Sequence, residues 1–214
     1  MKTMIHMDEH EWLAALPKDE YNERRIQNAH PANWENPKPA DVYNVVVIGG
    51  GSGGLIVAII AASLGAKVAL VEKHLMGGDC LNTGCVPSKA MIRSAKVMGE
   101  IMHAHRFGIE TNGAKVNFDQ VMRRIRQVQA EISPVDSVWR YTEEGVDVFL
   151  GHGRFTGRNT LQVGSATLRF KKAIIATGSQ PYVPAIEGLA VAGFLTNGTG
   201  WGFAAQPPPP AVGG

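Results

Sequence analysis

The chain has 214 residues, 44% of them apolar, with 21 basic side chains against 19 acidic ones and a net charge of +2. That length and composition suit one large domain or two small ones around a buried core. The charge is too small and too evenly spread for a nucleic-acid surface, and the longest apolar stretch, Leu55 to Leu64, falls well short of the ~20 residues that span a bilayer.

The amino-terminal residues Asp8, Glu9, His10 and Glu11 are acidic or imidazole-bearing where a secretory leader would be basic and then apolar, so a cytoplasmic location is expected, with no nucleic-acid or membrane partner. Residues 1–40 are polar and proline-rich, with Trp12, Leu16 and Trp34 as apolar anchors. They read as an extension lying against the fold.

From Tyr43 the pattern changes. The β-branched run Val45 to Ile48, a glycine cluster, an apolar helix from Gly53 to Leu64 and a second apolar run from Val68 to Val71 together make the strand, turn, helix and strand of a parallel βαβ unit. Pro87 to His105 reads as a helix, and so does Phe118 to Ile132, with Val121, Ile125, Val128 and Ile132 on one face. Pro134 ends or kinks the second of these, and Arg123, Arg124 and Arg126 fall off its apolar face as a solvated surface.

Short strands follow at Val146 to Leu150, Thr160 to Val163, Ala166 to Phe170 and Ala173 to Ile175, the middle two joined through Gly164 and Ser165 as a hairpin. Beyond Gly193 the composition collapses into Gly, Pro and Ala and predicts a tail without fixed structure. The organisation is therefore an extension over 1–40, one α/β domain over 41–192 built as a Rossmann-like parallel sheet with helices and a small antiparallel piece, and a tail over 193–214 at which the chain reads as cut short.

The glycines fit a dinucleotide fingerprint in one register, with Gly49, Gly51 and Gly54 at the three required positions and Ala58 at the helix-packing site that follows. Such a turn lets backbone approach a pyrophosphate at a helix N-terminus. Glu72, at the end of the second strand, is where an acid would accept hydrogen bonds from ribose hydroxyls.

Cys80 and Cys85, the only cysteines, are too few for a stapled secreted scaffold or a four-thiolate zinc site, and no metal site is expected. They follow Glu72 by eight residues, near the strand ends where ligands of such sheets bind. In a straight helix their Cα atoms would lie about 8 to 9 Å apart, whereas a disulfide needs less than about 7 Å. The chain between them must therefore be distorted, with Asn82 and Gly84 supplying the freedom. A loop this small gains only about 2 kcal/mol from cross-linking, so a redox role explains the spacing better than a staple. Lys89, four residues after Cys85, would favour the thiolate or an anionic cofactor if the helix is continuous.

The run Gly77-Gly78-Asp79-Cys80-Leu81-Asn82-Thr83-Gly84-Cys85-Val86-Pro87-Ser88-Lys89 resembles the redox-active segment of the class I pyridine nucleotide disulfide oxidoreductases, the family of lipoamide dehydrogenase, glutathione reductase and mercuric reductase. The resemblance covers about residues 41 to 197, with Ala176-Thr177-Gly178-Ser179 similar to the flavin-contacting loop. It implies FAD held by Gly49, Gly51, Ser52, Gly53, Gly54, Glu72, Lys73, Gly78, Asp79, Cys80, Lys89, Gly153 at the adenine, Thr177, Gly178 and Ser179. It further implies a redox-active Cys80–Cys85 disulfide, with Cys85 on the flavin side and Cys80 as the interchange thiol.

Leu75 to Lys96 and Phe194 to Asn197 are most similar to mercuric-reductase-like members, so a mercuric ion is the first expected acceptor and a disulfide of the dihydrolipoamide type the second. A second fingerprint for NADP or NAD, the rest of the FAD domain and the interface domain of a homodimer do not occur in these 214 residues. The resemblance therefore places them in a longer protein, and the third reading is an FAD-binding fragment without turnover.

Overall fold

The computed structural model describes residues 16–192, 194–198, 200 and 201. The strand β1 (Tyr43–Ile48) lies at the middle of a parallel set, with β2 (Val68–Glu72) on one side and, beyond it, β3 (Val146–Leu150). On the other side of β1 runs β6 (Ala166–Ile175), whose first residues pair antiparallel with β5 (Thr160–Val163), which pairs in turn with β4 (Gly153–Gly157). The order β3-β2-β1-β6-β5-β4 makes one six-stranded sheet, parallel at one end and antiparallel at the other.

Period-two alternation divides the core in two. Val47, Val68, Leu70, Val146 and Val148 face one side, where Leu55 and Ala58 of α2 (Ser52–Ser63) and Val138 and Tyr141 of α6 (Val138–Glu143) cover them. Val46, Ala69, Val71 and Phe149 face the other, where Leu161, Val163, Leu168 and Phe170 of the antiparallel piece close over them. Burial on both faces is what a parallel sheet requires, and all five residues of β2 are buried.

Ala166 to Phe170 and Ala173 to Ile175 are one strand, β6, which carries the chain from the antiparallel piece into the parallel set. The exposed Lys171 and Lys172 in its middle break the apolar pattern there and suggested a boundary. Gly153–Gly157 forms β4, a strand that its glycines and exposed residues concealed.

The extension is folded where it is described. Asp19 caps α1 (Glu20–Ala29) by accepting from the Asn22 N–H at 2.9 Å. The helix lies against α5 (Phe118–Ile132), which is itself packed on α4 (Cys85–His103). Trp34 meets Trp139 edge-to-face, with centroids 5.2 Å apart, while Trp12 lies outside the described residues. Asn36 exchanges two hydrogen bonds with Leu150, 2.7 and 2.9 Å, and so pairs the end of the edge strand β3.

The docking of α1 corrects one expectation. Arg126 is not solvated: it is 7% exposed and its guanidinium pairs with Asp19 at 2.5 Å. Burial pulls the neighbouring Arg25 down to about 10, with Asp19 opposing and Arg126 adding to the fall. Arg123 and Arg124 are exposed as expected, and Arg123 pairs with Glu20. The buried face of α5 is accordingly Met122, Ile125, Arg126, Gln129 and Ala130, a stripe containing two polar side chains that an apolar-only reading misses.

No helix among the described residues is long and apolar enough to cross a membrane.

Candidate active site

The glycine turn is built by close backbone approach. A Cβ on Gly54 would lie 1.8 Å from the Gly49 carbonyl oxygen, and one on Gly49, whose φ is +109°, would lie 2.1 Å from the Ala176 oxygen. Gly49 thus brings the start of the 176–179 segment directly over the fingerprint, and the Ala176 N–H donates to the Ile48 carbonyl at 2.8 Å. Thr177, Gly178 and Ser179 are exposed at this edge.

The first turn of α2 is open. Its N-cap, Gly51, brings no side chain to the free N–H groups, a Cβ on Gly51 would meet only Gly78 Cα at 3.5 Å, and a Cβ on Gly53 would meet nothing within 4 Å. Uncapped donors, a positive dipole end and an absence of side-chain bulk fit a pyrophosphate, so Gly51, Ser52, Gly53 and Gly54 make a cradle of the kind FAD would occupy.

Glu72 is 8% exposed, and each of its oxygens already accepts a backbone hydrogen bond, from Gly50 at 2.6 Å and from His74 at 2.7 Å. The carboxylate that the sequence assigned to a ribose therefore also fixes the fingerprint turn; a second lone pair on each oxygen remains for a ligand. Lys73 beside it is exposed. Gly153 backs onto Val71 and Leu161, where an added Cβ would come within 3.3 Å of each. Its lack of a side chain thus has a packing cause in this fold, and its neighbour Gly151 donates to the Glu72 carbonyl at 2.8 Å.

The cysteines lie on two helices. Cys80 is in the one-turn helix α3 (Gly78–Asn82), Cys85 is the first residue of α4, and Thr83 and Gly84 break the path between them with φ of −136° and −119°. This is the distortion the spacing requires. Helix α4 starts at Cys85 rather than Pro87, because a proline in the first turn lacks only an N–H that would have had no helical partner.

Both thiols are unlinked, Cys85 exposed and Cys80 half-buried. They interact: the Cys80 thiol is pushed above the ordinary value chiefly by burial, then by its hydrogen bond and charge interaction with Cys85, with Ser52 opposing through a hydrogen bond and the Asp136 carboxylate adding to the rise. Backbone packing joins the turn that carries Cys80 to the glycine cradle. Gly78, with φ +53°, approaches so closely that a Cβ there would stand 2.5 Å from Gly51 Cα. Lys89 is exposed one turn after Cys85 on the continuous helix α4, and the exposed Asp79 accepts from the Thr83 hydroxyl.

Gln129, absent from the sequence reading, holds the loop between the thiols. Its buried amide donates to the carbonyls of Leu81 and Asn82, both at 2.9 Å, satisfying two acceptors at the carboxyl end of α3. The Asn82 amide donates in turn to Met76 and Gly78 at 3.1 and 2.9 Å. A lone glutamine on an amphipathic helix carries no sequence signal for this role; only the packing of α5 against α3 and α4 gives it one. No group of three or more His, Cys, Asp or Glu that could hold a metal ion occurs among the described residues.

Residues 43–202 match the family described as pyridine nucleotide-disulphide oxidoreductase. Among curated relatives, a dihydrolipoyl dehydrogenase of Acholeplasma laidlawii is 41% identical over 69% of this chain and 44% of its own length. One of Bacillus subtilis is 39% identical over 69% of this chain and 34% of its own length. A mercuric reductase of Lysinibacillus sphaericus is 32% identical over 74% of this chain and 29% of its own. The chain thus spans less than half the length of these relatives. Among solved structures, the HOCl-induced flavoprotein disulfide reductase RclA from Escherichia coli superposes with a TM-score of 0.55 at 26% identity, covering 67% of this chain and 30% of that one.

Proposed function

Since the chain belongs to the pyridine nucleotide-disulphide oxidoreductase family, we propose that it is the portion of an FAD-dependent NAD(P)H:disulfide oxidoreductase that holds the flavin nucleotide and the redox-active thiol pair. The observation that carries the reading is the junction of the two parts: an open helix N-terminus without a side-chain cap, against which Gly78, the first residue of the cysteine-bearing α3, packs backbone to backbone at Gly51.

In this reading FAD, when bound, supplies a two-electron carrier beside the cysteines. The N–H groups of Ser52, Gly53 and Gly54 would hold its pyrophosphate, and the remaining lone pairs of Glu72 would take ribose hydroxyls. The missing side chain of Gly78 lets the α3 turn lie directly against the cradle. Cys80 and Cys85 cycle between two thiols and one disulfide. Forming the S–S bond releases two protons and two electrons, and breaking it takes them back. Burial holds the proton on Cys80. Lys89 lies exposed on α4 one turn after Cys85, at that end of the pair.

Two kinds of acceptor fit vicinal thiols: an organic disulfide, reduced by thiol exchange, and a mercuric ion, bound between two thiolates and reduced by two electrons. The sequence put the mercuric ion first. Identities of 41 and 39% to dihydrolipoyl dehydrogenases against 32% to a mercuric reductase favour the disulfide.

Gly53→Asp tests the reading cleanly, because an added side chain there meets nothing in the fold but brings a negative charge to the first turn of α2, beside the N–H groups that would hold the pyrophosphate. FAD titration followed by flavin fluorescence should give binding to the wild-type chain and at least tenfold weaker binding to the variant, with thermal unfolding unchanged. Equal affinity in the two proteins, or no binding to the wild type, would overturn the reading.

A further inference from the structure

The carbonyls that end α3 form a series. Leu81 and Asn82 are served by Gln129, but the next, Thr83, lies in the link between the two cysteines and receives its donor from the far end of the chain: Trp201 Nε1–H donates to it at 2.7 Å across 118 residues. The Trp201 ring is partly buried against the Ala90, Met122 and Ile125 cluster at the α4–α5 contact. Four residues earlier Asn197 donates to Asp79 Oδ1 at 3.1 Å, the same oxygen that the Thr83 hydroxyl reaches, and the Gly200 N–H closes a turn onto the Thr196 carbonyl at 3.0 Å. Residues 196–198, 200 and 201, read from composition as part of a structureless tail, therefore touch the link from both ends: at Asp79, next to Cys80, and at Thr83, two residues before Cys85.

The geometry points to a clamp: Trp201 and Asn197 are positioning residues that hold the Cys80–Cys85 link in the conformation from which the disulfide closes. The inference rests on the redox reading of these cysteines given above, and its physical basis is effective concentration. The Thr83 N–H closes the last turn of α3 onto the Asp79 carbonyl at 2.9 Å and the Gly84 carbonyl accepts from Ser88 at 3.1 Å, but the Thr83 carbonyl between them takes its donor from outside, from Trp201. Each outside donor that restrains the link reduces the conformations in which the two sulfurs are apart and raises the fraction poised to bond. The clamp touches neither sulfur; it acts through the backbone between them.

The test uses the whole 214-residue chain as wild type, Trp201→Phe and Asn197→Ala. Phenylalanine keeps the ring packed and removes the indole donor. Each protein is equilibrated in glutathione buffers, where Cys80 and Cys85 lose two protons and two electrons in forming one S–S bond while one glutathione disulfide is reduced to two glutathione thiols. Remaining thiols are then alkylated and counted. Loss of one hydrogen bond of this kind should make the disulfide about three- to tenfold harder to form in Trp201→Phe, with a shift in the same direction and smaller in Asn197→Ala. Trp139→Phe is the control, since that indole donates at 3.0 Å to the Gln27 carbonyl on α1; it should change thermal stability without moving the redox titration. Variants that titrate with the wild type, or a Trp139→Phe shift as large as that of Trp201→Phe, would overturn the clamp. A wild-type chain whose thiols fail to pair even in glutathione disulfide alone would sink the redox reading instead. The clamp then stands or falls on amide exchange at Gly84 and Cys85, which Trp201→Phe accelerates if the clamp exists and leaves unchanged if it does not.

Discussion

The glycine turn and the cysteine link sit side by side, yet they are held in different ways. The turn is fixed by backbone: Gly49 donates to Val71, Gly77 donates to Gly50, and Gly54 and Gly49 press on carbonyl oxygens with no room for a methyl group. Glu72 is the one side chain in that set. The link is fixed by side chains from outside it, Gln129 at a separation of 48 residues and Trp201 at 118. A cradle for a nucleotide gains from rigidity, since preorganised N–H groups cost nothing to orient. On the proposed redox reading, a link whose sulfurs make and break a bond must be restrained and still able to adjust, which replaceable side-chain donors allow.

Substitutions can break this contrast, the largest at Gly54. Gly54→Ala forces a methyl to 1.8 Å from a backbone oxygen that has nowhere to move, and should cost at least about 4 kcal/mol or prevent folding. Gly53→Ala, one residue away in open space, should stay within about 0.5 kcal/mol. Urea unfolding of the pair checks both; similar losses at the two positions would mean that the turn is not set by contact.

Gln129→Leu comes next. It keeps the bulk on α5 but leaves the carbonyls of Leu81 and Asn82 without donors, at about 1 to 3 kcal/mol for each that stays dry. Urea denaturation should show the loss, and alkylation of both thiols should speed up as the link loosens. A stability loss with unchanged alkylation would place Gln129 in the packing of α5 alone.

The smallest effect concerns pH. A thiol whose folded pKa is raised, as that of Cys80 is by burial, then by Cys85 and Asp136, contributes stability that is complete below the unfolded thiol value and is lost as pH rises through the folded one. Alkylation of Cys80, resolved by peptide mass spectrometry, should therefore climb at higher pH than an ordinary thiol. Asp136→Asn removes the like charge and should move that climb to lower pH by a few-fold in rate at a given pH. Because Asp136 is itself raised by burial, the same variant should stabilise the fold near neutrality, and the gain should vanish toward low pH, where the native carboxyl is protonated. A curve that stays in place would remove Asp136 from the surroundings of the thiol.

Much of the fold was legible because its signals are local. Val45 to Ile48, the glycine spacing and Val68 to Val71 specify the βαβ unit by period and turn chemistry, and Phe118 to Ile132 is helical over the span its pattern predicts. What was missed depends on packing. Helix α1 has too few apolar residues to announce itself, because it is held by a buried Asn22, Arg25 and an Asp19–Arg126 pair rather than by an apolar stripe. Strand β4 gains its identity from pairing with β5, since its own residues are mostly exposed.

The sequence by itself determined where the glycine turn lies and that Cys80 and Cys85 need a broken helix path between them, since both follow from bond geometry and the reach of a few residues. Only the tertiary structure decided what holds those parts in place. Glu72 is turned inward to Gly50, Arg126 is buried, and Gln129 and Trp201 serve the link between the thiols because elements far apart in the chain come to lie against one another. A hydrogen bond across 118 residues leaves no trace in a local pattern.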